Sequence, residues 1–112
     1  MVLNGLPDDP VRDVADAILA AGGQAEVHLG DVAEEKEAHS CVDLAIRTFG
    51  RLDVLENHAG IFIALAATGD YRIGDFARTV RHNLRTAFLM TKFALPYLQN
   101  SRGSKFVFSK SF

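Results

Sequence analysis

The chain has 112 residues, of which 48% are hydrophobic and 23% charged, and its formal net charge is −2. This length suffices for one domain with a buried core, and the charge, with no basic block, argues against a nucleic-acid or anionic-membrane surface. Cys41 is the only cysteine, which excludes an internal disulfide and suits a reducing compartment. No uncharged apolar run reaches the roughly 20 residues of a membrane span. We therefore expect a single cytoplasmic domain over residues 1–112, with neither a nucleic-acid nor a membrane partner.

The first half of the chain alternates strand and helix patterns. Residues 1–4 form a short strand candidate, and "GLPDDP" follows as a turn in which Asp9 is placed to cap a helix starting at Pro10. Apolar residues recur at helical spacing until Gly22-Gly23 ends the run. "QAEVHL" alternates like a strand, and "GDVAEE" leads into a second helix that stops at Gly50.

The second half continues the alternation. "LDVLEN" is a third strand, a loop of small residues follows, and one long helical pattern runs over residues 74–100 before a fourth strand, "GSKFVF". We expect one face of the long helix to be buried, formed by Phe76, Val80, Asn83, Leu84, Ala87, Thr91, Ala94 and Leu98. About four strands alternating with three helices predict an α/β fold with a doubly wound parallel sheet and right-handed crossovers.

Three polar residues occupy positions where such a sheet binds ligands, beyond the carboxyl ends of its strands. Asp31 follows the second strand, and it is either a ligand contact or a helix N-cap in a capping box with Glu34. Asn57 ends the third strand near Gly60, either as a ligand contact or as part of a polar turn. Asn83 lies on the expected buried face of the long helix, where its amide needs partners from a structural network or an active site.

Metal binding has little support in the sequence. The four histidines, at positions 28, 39, 58 and 82, form no i, i+4 pair and no cluster with cysteine. We expect no metal site.

Taken together in chain order, three motifs resemble those of the short-chain dehydrogenase/reductase family. "GDV" follows one strand, "GRLDVLENHAGI" resembles the family's strand with its Asn-Asn-Ala-Gly segment, and "HNLRTAFLMTKFALPYL" resembles its helix with the active-site Asn. The resemblance covers nearly the whole chain. It implies a partial Rossmann-like domain that binds NAD or NADP, and transfer of hydride to or from a small alcohol or carbonyl substrate.

The resemblance also assigns roles to individual residues. Asp31 matches the carboxylate that contacts the adenine amino group, and Val32 packs by the adenine ring. Asn57, Ala59 and Gly60 match the segment that lies along the cofactor. On the catalytic side, Asn83 matches the Asn whose helix position holds a water in the proton relay, and the catalytic Ser falls near Ser109 and Ser111, on either side of Lys110.

Several family features are missing from this chain. The family begins with a strand and a Gly-rich turn for the pyrophosphate, and it uses a Tyr with a Lys four residues later; here Asp75 follows Tyr71 and Ser101 follows Tyr97 at that spacing. Where a carboxylate or basic residues select NAD or NADP, the chain has Asn4 and Gly5, so the choice of cofactor stays open. The chain thus resembles a truncated central part of the family's fold, and we expect it to be inactive on its own.

The missing first strand would lie between "VLNG" and "LDVLEN" in the family's strand order. Either these two strands pair directly, or the chain associates through bare strand edges. Glu56 replaces an apolar residue of the family's central strand, where an unpaired carboxylate is costly if helices cover both faces.

Two other readings compete with the oxidoreductase. One is a non-catalytic truncated relative that acts by association, with a homo-oligomer built on the long helix through Phe88, Phe93 and Tyr97. The other is a phosphoacceptor receiver domain, which the long third helix and the residues after the third strand argue against.

Overall fold

A computed structural model describes residues 1–63, 65–100, 103 and 105–108, so the predicted Ser109 and Ser111 lie outside the described residues. These residues include four strands: β1 (Val2–Gly5), β2 (Glu26–Leu29), β3 (Val54–Asn57) and β4 (Lys105–Phe108). The helices are α1 (Val11–Ala20), α2 (Glu35–Phe49), α3 (Ile73–Val80) and α4 (Thr86–Leu98), with a short 3₁₀ turn at Thr68–Asp70. A π-helical turn, Arg81–Arg85, joins α3 to α4. The predicted α/β fold, with parallel strands and a long third helix, is confirmed.

The strands form two separate sheets. β1 pairs with β2 and β3 pairs with β4, both in parallel. Within the part of the chain that the structure describes, β1 and β3 do not pair with each other. Direct pairing, one of the two outcomes expected for this sequence, is therefore not what the fold adopts.

The helices α2 and α4 pack against each other and hold the two sheets together. One core cluster contains Val32, Ala38, Cys41 and Leu89, and Val2 of β1 packs against it. A second cluster contains Val42, Leu55, Ala94 and Leu98. Met90 and Phe93 pack against both clusters, so α4 links the two halves of the core.

The long helix buries a different face from the one predicted. Ala87, Ala94 and Leu98 are buried as expected, but Phe76 and Leu84 are 61% and 65% exposed. The π turn explains the difference, because one extra residue in a turn rotates the face that follows by about 100°. The apolar stripe of α3 therefore does not continue into the buried stripe of α4.

Neither of the two candidate helix caps, Asp9 for α1 and Asp31 for α2, caps its helix. α1 has Pro10 at its N-cap position with no side-chain cap bond, and Asp9 Oδ2 instead accepts a hydrogen bond from the Leu6 amide at 2.7 Å. α2 has Glu34 at its N-cap position, because residues 31–34 form a turn that delays the helix. Asp31 closes that turn by accepting a bond from the Ala33 amide, so it caps a turn and not the helix.

β3 explains the carboxylate at Glu56. Leu55 and Asn57 are buried towards α4, whereas Val54 and Glu56 are exposed on the other face of the same strand. A strand with one covered face accommodates a charged side chain on the other. Glu56 is thus compatible with a strand that the described residues cover from one side.

Candidate functional site

The turn after β2 places Asp31 at the carboxyl end of the first sheet. Its Oδ1 accepts the Ala33 amide at 2.9 Å, and its Oδ2 accepts Arg81 Nη2 at 2.8 Å. Arg81 Nη2 also donates to Glu34 Oε1 at 2.6 Å. Both carboxylates of the turn are therefore held by one guanidinium from the π turn.

The same turn has a second anchor. Arg85 Nε donates to the Ala33 carbonyl oxygen at 2.8 Å, and Ala33 itself is fully buried. Arg81 and Arg85 are four residues apart and lie on the same side of the helix. Together they fix the backbone and the side-chain orientation of residues 31–34.

The ionised form of Asp31 is favoured. Burial raises the pKa of this carboxyl, but the Ala33 amide, the hydrogen bond and charge of Arg81 and the charge of His82 outweigh burial and hold the pKa below its usual value. Asp31 is thus a hydrogen-bond acceptor at neutral pH. A carboxylate has about four lone-pair positions, so two bonds leave capacity for a ligand donor.

The loop after β3 forms the other side of the site. Asn57 is 7% exposed, and its Nδ2 donates to Thr91 Oγ1 of α4 at 3.4 Å. Ala59 and Gly60 are exposed directly after it. The strand end is therefore anchored on α4, while the segment that follows lies at the surface.

Asn83 fixes this loop to the helix. Its Nδ2 donates to the Ile61 carbonyl oxygen at 2.8 Å and to the Thr79 carbonyl oxygen at 2.9 Å. Asn is a poor residue for a helix interior, and here both amide hydrogens are used, one within the helix and one across to the loop.

The π turn brings the predicted residues together. In it, the Thr86 amide bonds to the Arg81 carbonyl five residues back, and such turns occur frequently at functional sites. Arg81 binds Asp31 on one side, and Asn83 binds the carbonyl of Ile61 on the other. Two loops, from two different sheets, are therefore held by one turn of one helix.

Val32 has a mainly structural environment. Its side chain is 4% exposed and packs with Ala38, Cys41 and Leu89. Contact with an adenine ring stays a prediction for Val32, as it does for the other cofactor-binding residues.

The amino-terminal end of α1 does not offer a phosphate site. A Cβ atom at Gly5 would lie 3.2 Å from Asp9 Oδ2 and 3.2 Å from Val11 Cβ, so the space beside this strand end is filled. The Asn4 amide is also committed, since it donates to the carbonyl oxygens of His28 (3.2 Å) and Gly30 (3.0 Å). A carboxylate beside the helix terminus disfavours an anion there. The described residues at this end of α1 thus leave no space for a pyrophosphate.

The two tyrosines lie outside this site's hydrogen bonds. Tyr71 Oη shares a hydrogen bond with Thr79 Oγ1 at 3.2 Å, and Tyr97 lies on α4 with 36% of its surface exposed.

Among the described residues there is no group of three His, Cys, Asp or Glu side chains placed to hold a metal ion. In the same residues, no helix is long and apolar enough to cross a membrane.

Sequence reasoning missed Arg81 and Arg85. Two cations four residues apart on either side of Asn83, on a helix that follows an acidic turn, were a usable signal. Arg81 bonds to Asp31 and Glu34, and Arg85 to the Ala33 carbonyl, across nearly half the length of the chain. Local patterns carry no information on such distant contacts.

Comparison with known proteins supplies the family. The model of the short chain dehydrogenase family matches residues 1–112, and the chain belongs to that family. This assignment displaces the receiver-domain reading.

Individual relatives agree with this assignment. A cyclohexanol dehydrogenase from an Acinetobacter species is 27% identical, with 96% of this chain and 43% of that protein aligned. A 3-ketoacyl-ACP reductase from Sinorhizobium meliloti is 33% identical with a TM-score of 0.88, over 96% of this chain and 42% of that one. A short chain dehydrogenase from Burkholderia cenocepacia, solved in complex with NADP, is 27% identical with a TM-score of 0.84, over 96% and 43%. The chain spans about two fifths of the length of the relatives that it matches.

Proposed function

We propose that the chain forms the adenosine end of an NAD(P) site, with the active-site helix, in an oxidoreductase that transfers hydride between NAD or NADP and an alcohol or carbonyl substrate. The observation that carries this proposal is the π turn, which binds the Asp31 turn through Arg81 and the loop after β3 through Asn83. Family membership and an NADP-bound structural relative add support.

Each residue then has a defined task. The Asp31 carboxylate accepts a hydrogen bond from the adenine amino group, with Val32 packed beside the ring. The segment that contains Asn57, Ala59 and Gly60 lies along the cofactor. When the cofactor is bound, its nicotinamide ring exchanges hydride with the substrate. Asn83 is a positioning residue for the loop, and the helix around it holds a water for proton transfer. Catalytic Ser candidates are Ser109 and Ser111.

Residues 1–112 alone are expected to lack turnover, because the family's Tyr and Lys pair has no counterpart at the required spacing. The assay follows the absorbance of NADH and NADPH with a panel of ketones and aldehydes. Steady cofactor consumption that depends on the chain would contradict this expectation.

The free thiol of Cys41 supports a reducing, cytoplasmic location.

Cofactor binding tests the proposal more directly. We expect saturable quenching or enhancement of NADH fluorescence by the chain, weakened several-fold by Asp31→Asn because a neutral amide accepts less strongly than a carboxylate. Asp75→Asn is the matched control, since Asp75 lies on α3 and pairs with Arg78 at 3.8 Å. Equal effects of the two substitutions, or binding that neither affects, would refute the role of Asp31.

A second candidate function is self-association through the long helix. An apolar stripe runs along α3 and the π turn into α4, and its exposed members are Ile73, Phe76, Val80, Leu84 and Phe88. Exposed apolar surface of this extent is typical of interaction sites. Phe88 belongs to it at 64% exposure, whereas Phe93 packs against both core clusters and edge-on against His39.

Sedimentation velocity tests the association. We expect a dimer at micromolar concentration that Leu84→Glu dissociates. Leu65→Glu is the control, because Leu65 is 91% exposed but lies in the loop before α3, outside the stripe. A wild-type chain that stays monomeric would remove this candidate.

A further inference from the structure

His28 is a buried titratable side chain that the proposed site does not use. It lies in β2 with 9% of its surface exposed, and Asn4 of β1 is its register partner. Its Nδ1 is 3.1 Å from Asn4 Nδ2, and its Nε2 is 3.4 Å from Glu37 Oε2 of α2. His28 therefore joins the first sheet to α2, just before the turn that carries Asp31.

The Asn4 amide fixes which nitrogen of the His28 ring carries the hydrogen. Besides facing the ring, Asn4 Nδ2 donates to the carbonyl oxygens of His28 (3.2 Å) and Gly30 (3.0 Å). If the amide were turned over, its oxygen would face two carbonyl oxygens, which cannot donate. Nδ1 of His28 is therefore an acceptor, and the neutral ring carries its hydrogen on Nε2, on the side of the Glu37 carboxylate.

Gly30 leaves room for this contact and connects it to the turn. A Cβ atom at Gly30 would collide with Glu37 Oε2 and would lie 2.9 Å from His28 Cε1. Gly30 also directly precedes Asp31, so the bond from Asn4 to the Gly30 carbonyl fixes the start of the turn. The orientation of the Asn4 amide thus links the His28 ring to the Asp31 turn.

Only a few titratable groups lie on the face of the sheet that His28 occupies. Glu37 faces it from α2, and Glu26, two residues earlier in β2, points to the same face but is exposed. Cys41 of α2 lies in the adjacent core cluster, where burial raises the pKa of its thiol to about 11 and keeps it neutral. Glu37 is therefore the charge that acts on His28 at close range.

The charged residues of α1 belong to the other face of the sheet. A Cβ atom at Gly5 would lie 3.2 Å from Val11 Cβ, which places α1 on the face to which Gly5 points. Successive residues of a strand point to opposite faces, so Asn4 and its partner His28 point away from α1. β1 itself contains no charged residue.

Protonation of His28 is incompatible with this arrangement. The added hydrogen on Nδ1 would face the NH₂ group of Asn4, which has no acceptor atom. The Glu37 carboxylate favours the imidazolium, so the conflict is relieved at Asn4, whose amide turns over or withdraws. Either movement ends its donation to the Gly30 carbonyl.

We propose that His28 is a positioning residue for the Asp31 turn. In its neutral form it keeps the Asn4 amide on the Gly30 carbonyl, and its protonation releases that carbonyl and weakens binding of the adenine end of the cofactor. The effect on the cofactor rests on the proposed function. The coupling between His28 and the turn does not rest on it, and it is measured without cofactor.

The first test is an NMR titration of the free, isotopically labelled whole chain between about pH 8 and about pH 5, the range in which histidine changes charge. We expect the imidazole nitrogens of His28 to show hydrogen on Nε2 at the upper end. As the ring titrates, the side-chain NH₂ of Asn4 is expected to shift with the same midpoint. A ring with hydrogen on Nδ1, or an Asn4 signal that does not follow His28, would overturn the proposal.

The Asn4 signal is the primary readout because another histidine acts on Asp31. The charge of His82 contributes to the lowered pKa of the Asp31 carboxyl, so the Asp31 amide reports on both rings. The carboxyl itself stays ionised throughout this range, since its pKa lies below its usual value of about 4.

A substitution on α2 tests the contribution of Glu37. Glu37→Gln removes the charge that favours the imidazolium, so the common midpoint of His28 and Asn4 is expected to move to lower pH. Asp43→Asn is the matched control, because Asp43 lies on the same helix and pairs with the exposed His39 at 3.6 Å. Equal shifts of the midpoint in the two variants would contradict the assignment of Glu37.

The second test measures the affinity for ADP-ribose at about pH 7.5 and about pH 5.5. We expect binding to be about two- to tenfold weaker at the lower pH, which corresponds to the loss of one hydrogen bond. His28→Asn is expected to abolish this difference, because its amide oxygen accepts from Asn4 and does not titrate. His39→Gln is the control that retains it, since His39 is 59% exposed and lies on α2 beside Asp43.

The outcomes separate the two proposals. Equal affinity at both pH values in the unaltered chain, or a difference that persists in His28→Asn, would refute the link between His28 and the cofactor. Absence of ADP-ribose binding at both pH values would instead contradict the proposed function. The coupling of His28 to Asn4 is then still decided by the titration of the free chain, which needs no variant that could fail to fold.

Discussion

Replacement of Asn83 by Ala is expected to destabilise the chain and release the loop after β3. The two hydrogen bonds to Ile61 and Thr79 each contribute roughly 0.5–1.5 kcal/mol, and Ala recovers roughly 0.5 kcal/mol through its better helix propensity. The net loss of unfolding free energy is therefore about 0.5–2.5 kcal/mol. Asn83→Asp should lose at least as much at neutral pH, because a carboxylate cannot donate to either carbonyl.

Asn100→Ala is the matched control for this experiment. Asn100 also donates from Nδ2 to the carbonyl four residues earlier, that of Pro96 at 3.0 Å, but Asn100 is exposed and this bond is to the carboxyl-terminal turn of α4. Urea unfolding measures the stability, and amide hydrogen exchange over residues 57–63 reports on the loop. Equal effects of the two substitutions, or unchanged exchange in the loop of Asn83→Ala, would refute the argument that Asn83 fixes it.

Three further outcomes follow from the described contacts. Because the pKa of Asp31 is lowered in the folded chain, its stabilising contribution is complete above the unfolded pKa of about 4 and is lost as the pH falls through the folded pKa. Arg81→Gln should therefore flatten the acid limb of the stability–pH curve and lower the free energy of unfolding by up to about 1 kcal/mol at pH 7. An unchanged acid limb in this variant would contradict the prediction. Leu98→Ala should cost about 2–5 kcal/mol in urea unfolding because Leu98 is 1% exposed, and Leu95→Ala should cost much less at 38% exposure. Burial raises the pKa of the Cys41 thiol to about 11, so a thiol reagent at neutral pH should react with it only as fast as the chain opens, and rapid labelling of the folded chain would count against the buried position.

The order of elements was predictable because it depends on local patterns. Gly50 has φ 71° and ends α2 where the sequence predicted a stop. Asn83 was also found from the sequence, since an amide on a mostly apolar helix needs partners, and the structure supplies them.

What the sequence did not reveal depends on distant contacts. The π turn rotates the buried face of the long helix, and Phe76 and Leu84 are exposed. The spacing of apolar residues in the sequence does not reveal this rotation. The bond from Arg81 to Asp31 joins residues 50 positions apart, so the sequence alone could not choose between a ligand contact and a helix cap for Asp31. The strand patterns likewise left open whether β1 and β3 pair directly or stay apart, and the two described sheets show that they stay apart.

The most direct test of the central proposal, that this chain provides the adenosine end of a dinucleotide site, is an NMR titration of the labelled chain with the two halves of the cofactor. ADP-ribose is expected to shift the amides of Asp31, Val32, Ala59 and Gly60 in a saturable way, and nicotinamide mononucleotide is expected to leave them nearly unchanged. Equal shifts with both halves, or no saturable shift at these amides with ADP-ribose, would contradict the proposal.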